Sequence, residues 1–272
     1  MKRHGFTLLE LLVVMAIITI MAALAEPALA RAKMLGKQVV CLGNLKQVST
    51  GGLMYLDQTH GVFPYNIPGN PGYDPAVPAI WFYALTNYGA TAPVLVCPAT
   101  RPPAPFPAEA AGTADLAWIT EATGDHAQVC SYGQNGWLTD FITFVPLALG
   151  GGQYSQFFFP KLSSVLRPAQ TPLFSDQNYC MTIPLETDSA ASDLYFGQTI
   201  PDGFERVGMG CCTMLRHGGP TAGSSVPYQS GQPLPGAINM SFADGHGQLL
   251  KLKDLWNYDW HLNCDPALVQ DP

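Results

Sequence analysis

The sequence predicts an α+β protein, a long N-terminal helix packed on a head built around an antiparallel sheet. Three observations predict it. Residues 6–25 form an apolar run broken only by Thr7, Thr19 and one charge, Glu10. A helical periodicity of apolar residues continues beyond that run, with polar and basic residues interleaved. Near the C-terminus, Ile238, Met240 and Phe242 alternate with smaller residues ahead of Asp244-Gly245, a strong two-residue hairpin signal.

The first element justifies itself by length. A helix of about 20 apolar residues spans roughly 30 Å, the thickness of a hydrocarbon core. A short basic leader, with Lys2 and Arg3, precedes it. Glu10 is the anomaly, because a carboxylate within a lipid span costs on the order of 3 kcal/mol and points to a function. A secretory signal cut after Ala23-Leu24-Ala25 would have an apolar region of only about 7–15 residues. A plain anchor would give Glu10 no purpose.

Gly5-Phe6-Thr7-Leu8-Leu9-Glu10 resembles the cleavage and methylation motif of type IV prepilins and type II secretion pseudopilins. The resemblance implies a leader at 1–5, a transmembrane helix at 6–25, an amphipathic helix at 26–58 and a head at 59–272. It implies that prepilin peptidase cuts after Gly5 and that the new amine of Phe6 is methylated. Glu10 would then pair with the Phe6 ammonium of a neighbouring subunit, giving a charge in an apolar setting its partner. The implied partners are the peptidase, the membrane and other pilin or pseudopilin subunits. The implied location is the bacterial inner membrane, single-pass, with a periplasmic head. Basic residues after the span (Arg31, Lys33, Lys37 and Lys46) outnumber those before it and oppose that orientation. The processing motif decides it, because the family's peptidase works on the cytoplasmic side.

Pro27 is expected to kink or interrupt the helix, which then resumes to about Asp57. Leu35, Leu42, Leu45, Val48 and Leu56 make the stripe that should bury against the head. Gly51 and Gly52 should weaken the helix by up to about 1 kcal/mol each. Residues 66–80 and 98–110 read as loops, 81–89 as a short helix, and 141–145 and 157–159 as strands. Leu173-Phe174-Ser175 reads as a short strand, and residues 237–252 as a hairpin.

The resemblance extends along the chain through Cys41-Leu42-Gly43-Asn44-Leu45-Lys46-Gln47, Cys97-Pro98, Ser131-Tyr132-Gly133-Gln134-Asn135 and Asp176. These are similar to a prepilin subgroup known for a C-terminal His–Asp-Gly signature. Here 26 residues separate His217 from Asp244-Gly245, and the segment between is rich in Gly, Ser and Pro. The preferred reading is a turn at Asp244-Gly245 with His217 packed nearby. A metal site of His217, Asp244 and His246 is the weaker reading, because calcium prefers oxygen ligands. No cofactor is expected.

Composition bounds the function. The net charge of −7 over 272 residues argues against nucleic acid as a partner. With 12% charged residues, 27 Gly and 24 Pro, a loop-rich extracytoplasmic head fits better than a cytosolic enzyme. No Gly-x-Ser-x-Gly, His-Glu-x-x-His or phosphate-binding Gly loop occurs, so no enzyme is expected. Seven cysteines without a Cys-x-x-Cys pair suggest disulfides in an oxidising compartment, with one thiol left over. Cys41–Cys97 is the candidate pair tying helix to head, and Cys211-Cys212 reads as two separate pairings. The rival function is a membrane-tethered carbohydrate- or metal-binding protein, its sugar platform an exposed Trp256-Asn257-Tyr258-Asp259-Trp260 cluster.

Overall fold

The computed structural model describes residues 7–59, 61–65, 80–103, 111–120, 128–140, 152–198, 207–219, 223–265 and 268. It is an α+β fold, a long N-terminal helix followed by a mixed-sheet head. Helix α1, Leu8–Gln58, runs for 51 residues, about 77 Å at 1.5 Å per residue. Pro27 lies inside it without ending it, contrary to the expected interruption. Proline removes one backbone donor, but the flanking Ala22-Ala23-Leu24-Ala25 and Ala28-Leu29-Ala30 are among the best helix formers.

Residues 7–36 are exposed throughout. The head begins to cover α1 at Lys37 and Gln38, which are half-buried; the fully buried set is Cys41, Leu45, Val48, Ser49, Gly51, Gly52, Tyr55 and Leu56. Leu35, expected in the buried stripe, is 61% exposed, at the mouth of a cleft between helix and head. The paired glycines do not break the end of α1, which runs on to Gln58. A Cβ on Gly51 would sit 2.8 Å from the Tyr88 carbonyl oxygen, and one on Gly52 would sit 2.7 Å from the Phe174 ring. They let the head approach the helix backbone.

Trp81–Ala84 forms the short helix α2, continued by a 3₁₀ turn at Leu85–Tyr88, as the sequence predicts for 81–89. Strands β1 (Trp118–Thr120) and β2 (Gln128–Cys130) pair by themselves. The main sheet holds β3 (Tyr132–Asn135), β4 (Pro172–Asp176), β5 (Met181–Thr182), β6 (Ala237–Phe242) and β7 (Gly247–Lys251). Its order is β5-β3-β4-β6-β7. All neighbours are antiparallel except β3 and β5, which run parallel. The expected hairpin is β6–β7, in register from Ala237↔Lys251 to Ser241↔Gly247, with Gly245 at φ 89° in the turn.

Helix α1 covers one face of this sheet. Tyr132 opposes Asp176 and Phe174 opposes Ser241, so these side chains share the helix-facing side. On the same side, Asn239 Nδ2 donates to the Gln38 carbonyl at 3.2 Å. The C-terminal segment covers the other face: Phe242 meets the Tyr258 ring at 5.1 Å, and Asn135 Nδ2 donates to the Trp260 carbonyl at 2.7 Å. With both faces covered, every residue of β6 is buried.

Two further expectations meet the structure differently, and a third is not reached by it. Phe157–Phe159 is not a strand; Gly152–Phe157 is 3₁₀, and Phe158 and Phe159 plug the core beside Trp137. The proposed strand 141–145 lies outside the described residues. The tryptophans of the 256–260 cluster are not an exposed platform. Trp256 and Trp260 are both 3% exposed, with indole N–H groups donating to the carbonyls of Asp188 and Leu255.

Candidate functional site

Four segments distant in sequence meet under α1. Cys41 comes from the helix, Cys97 from the loop after α2, Asp176 from the end of β4, and His217 from the segment that joins β6. All four are buried, and one potential ligand atom from each lies within 4.8 Å of the others. Cys41 Sγ is 3.5 Å from Asp176 Oδ1 and 3.4 Å from His217 Nε2. His217 Nε2 is 3.7 Å from Cys97 Sγ and 3.3 Å from Asp176 Oδ2. His217 is placed by two backbone hydrogen bonds with Ala237, at 3.0 and 2.8 Å, so the long segment between His217 and β6 closes on itself. Gly218 and Gly236, both at positive φ, flank that bridge.

The surroundings support charge. Arg216, buried beside Asp176, has Nη1 3.4 Å from Oδ1, and its Nη2 donates to the Thr113 and Gln177 carbonyls. The Asn239 amide donates to Asp176 Oδ2 at 2.8 Å. The Tyr132 hydroxyl and the Ala99 amide donate to the sulfurs of Cys41 and Cys97, both at 3.4 Å. Burial alone would raise the Asp176 carboxyl, but His217, then Arg216 and the Asn239 amide, hold it below the usual range. Burial would lower His217, yet Asp176 lifts it to about 9. Burial would raise Cys97, and contacts with Cys41 and His217 bring it down to about 6. Cys41 is pushed well up, by burial and then by Cys97.

The N-terminus of α1 carries a second constellation. Thr7 is its N-cap: Thr7 Oγ1 accepts from the Glu10 amide at 3.3 Å, and Glu10 Oε2 accepts from the Thr7 amide at 2.9 Å and hydroxyl at 2.8 Å. This is a capping box, which satisfies orphan donors at a helix start and sets a carboxylate at its positive end. The Thr-x-x-Glu spacing ahead of an apolar run was a readable signal for it. Thr19, the other polar residue of the run, turns its hydroxyl back to the Met15 and Ala16 carbonyls. Gly5 and Phe6 lie outside the described residues.

Residues 1–25 match the family model described as a prokaryotic N-terminal methylation motif. The chain opens with a prepilin-type processing segment. The match supports a type IV pilin-like protein that is a substrate of prepilin peptidase, and the apolar part of α1 fits an inner-membrane anchor. It ends at residue 25, so it says nothing of the head. The chain matches no curated protein and no solved structure in the same comparisons.

The head separates the residues expected as a metal trio. His246 Nδ1 sits 2.6 Å from Asp244 Oδ1, and the pair is partly exposed in the β6–β7 turn. His217 lies at the opposite end of β6, about 17 Å away by strand rise. Asp244 also accepts the His246 amide, so it shapes the turn. His217 instead joins Cys41 and Cys97, which the sequence had paired with each other. All seven cysteines are free thiols, six of them buried. A second group, Glu186, His261 and Cys264, gathers near the C-terminus, with His261 Nε2 2.9 Å from Glu186 Oε2. The two groups are the potential metal-ligand clusters among the described residues. Their members sit at distant positions with no local spacing, so no sequence motif announces them.

Proposed function

We propose that this chain is a structural subunit of a type II secretion pseudopilus or a type IV pilus-like filament. It is inserted through residues 6–25, cut after Gly5, methylated at Phe6 and assembled through its N-terminal helix, with the head outside the cytoplasm. The methylation motif of residues 1–25, running without a break into an uncovered apolar helix, carries this reading. A second observation favours a filament over a simple tether. The uncovered part of α1, residues 7–36, spans about 45 Å, longer than a hydrocarbon core of about 30 Å. Leu29, Leu35 and Val39 are 71%, 61% and 67% exposed between the span and the head. Packing against the helices of neighbouring subunits would cover them.

Mass spectrometry of the N-terminal peptide from native membranes tests the reading. The expected peptide begins at Phe6 and carries one added methyl. An intact Met1, or a start near Glu26, would overturn it.

A further inference from the structure

The four-residue cluster between helix and head has the donors and the spacing of a structural zinc site. We propose that Cys41, Cys97, Asp176 and His217 bind one zinc ion tetrahedrally, through Sγ, Sγ, a carboxylate oxygen and Nε2, and so clamp α1 to the head. The inference stands whether or not the chain assembles into filaments.

The distances carry it. Zinc binds sulfur at about 2.3 Å and imidazole nitrogen or carboxylate oxygen at about 2.0 Å. A tetrahedron of those bonds has sulfur-to-nitrogen and sulfur-to-oxygen edges of about 3.5 Å and a nitrogen-to-oxygen edge of about 3.3 Å. The cluster shows 3.4 and 3.7 Å from the two sulfurs to Nε2, 3.5 Å from Cys41 Sγ to Asp176 Oδ1 and 3.3 Å from Nε2 to Asp176 Oδ2, so each carboxylate oxygen supplies one of the two oxygen edges. Two thiols, an imidazole and a carboxylate thus converge within the spacing that one ion would bridge.

Charge and support agree. Two thiolates and one carboxylate around a divalent ion leave one negative charge, and buried Arg216 beside Asp176 cancels it. The partners that orient zinc ligands are in place: the Asn239 amide on Asp176, the Tyr132 hydroxyl on Cys41 and the Ala99 amide on Cys97. A cleft lined by Met34, Leu35, Gln38, Arg216 and His217 reaches the cluster from solvent and gives the ion a route in. The four ligands come from positions 41, 97, 176 and 217, so one ion would tie together segments that span most of the head. Binding requires both thiols deprotonated and His217 neutral, the displaced protons going to solvent, and no electron changes hands.

The test uses the full chain, purified in detergent from native membranes. The expected result is one equivalent of zinc by elemental analysis. Cobalt(II) exchanged into the site should give tetrahedral visible bands with thiolate-to-cobalt charge transfer. Cys97→Ser and His217→Gln should lose that spectrum, and Cys130→Ser, buried outside the cluster, should keep it. Chelation should lower the Tm of the parent chain. The parent spectrum alone decides the matter if the variants fail to fold. Three outcomes would overturn the proposal: a Cys41–Cys97 disulfide in the native protein, reduced chain that takes up no stoichiometric metal, or bound cobalt without thiolate charge transfer.

Discussion

A single carboxylate ties two loops of the head together. Asp193 Oδ1 accepts the amides of Tyr195 at 2.8 Å, Phe196 at 3.2 Å and Val226 at 3.1 Å, and Oδ2 accepts the Ser225 hydroxyl. Burial alone would raise its pKa, but these donors together, Ser225 foremost, hold the carboxyl below its ordinary value. A depressed folded-state pKa contributes stability that is fully present above the unfolded value of about 3.9 and is lost as pH falls through the folded one. Asp193→Asn should therefore lower the Tm of the full chain at neutral pH. The gap to the parent should close as pH drops through the acid range, where the parent's carboxyl is itself protonated. A gap that stays constant with pH would show that Asp193 acts by shape and not by charge.

At the scale of the element, α1 answers to two different rules along its length. Gly43 has nothing within 4 Å of a built Cβ, so Gly43→Ala should stabilise the helix by up to about 1 kcal/mol through propensity alone. Gly52→Ala should instead destabilise the protein by about 1–3 kcal/mol, because its Cβ would meet Phe174 at 2.7 Å and Phe63 at 3.2 Å. Urea unfolding of both variants, followed by tryptophan fluorescence, separates them; equal effects would mean that helix and head do not pack as closely as these distances require. This contrast also explains what the sequence disclosed. The long helix, the 81–89 turn, the Leu173 strand and the 237–252 hairpin were legible because each rests on local period or turn chemistry. The persistence of α1 across Gly51-Gly52 was not, because the reason lies in Tyr88 and Phe174, residues distant in the chain. The burial of Trp256 and Trp260 was hidden likewise, since their indole partners and the covering of β6 are set by tertiary packing. At the cluster, the sequence suggests Cys41 and Cys97 as a disulfide, whereas the structure holds both as free thiols. Asp176 and His217 joined them only once β4 and the segment before β6 had been placed on the same side of α1.

At the scale of the whole molecule, the question is what covers an apolar rod that the head leaves bare. Lipid suffices for about 20 residues of it. It does not suffice for Leu29, Leu35 and Val39, which lie closer to the head and are as exposed as the residues within the span. Glu10 sharpens the point, since its carboxylate is already satisfied by Thr7 within the same chain. On the proposed reading, the capping box would satisfy Glu10 in a lone subunit on insertion, and the pairing with a neighbour's Phe6 amine would matter only on assembly. Glu10→Ala should accordingly leave membrane insertion and cleavage after Gly5 intact while abolishing filaments. Leu29→Ser combined with Val39→Ser should weaken assembly with the head's Tm unchanged, because both side chains stand exposed, at 71% and 67%. Sheared-fraction electron microscopy, alongside membrane fractionation of the same cells, reads assembly and insertion separately. Filaments that persist in both variants would mean that the helix is an anchor and that its exposed residues meet something other than a second copy or another subunit.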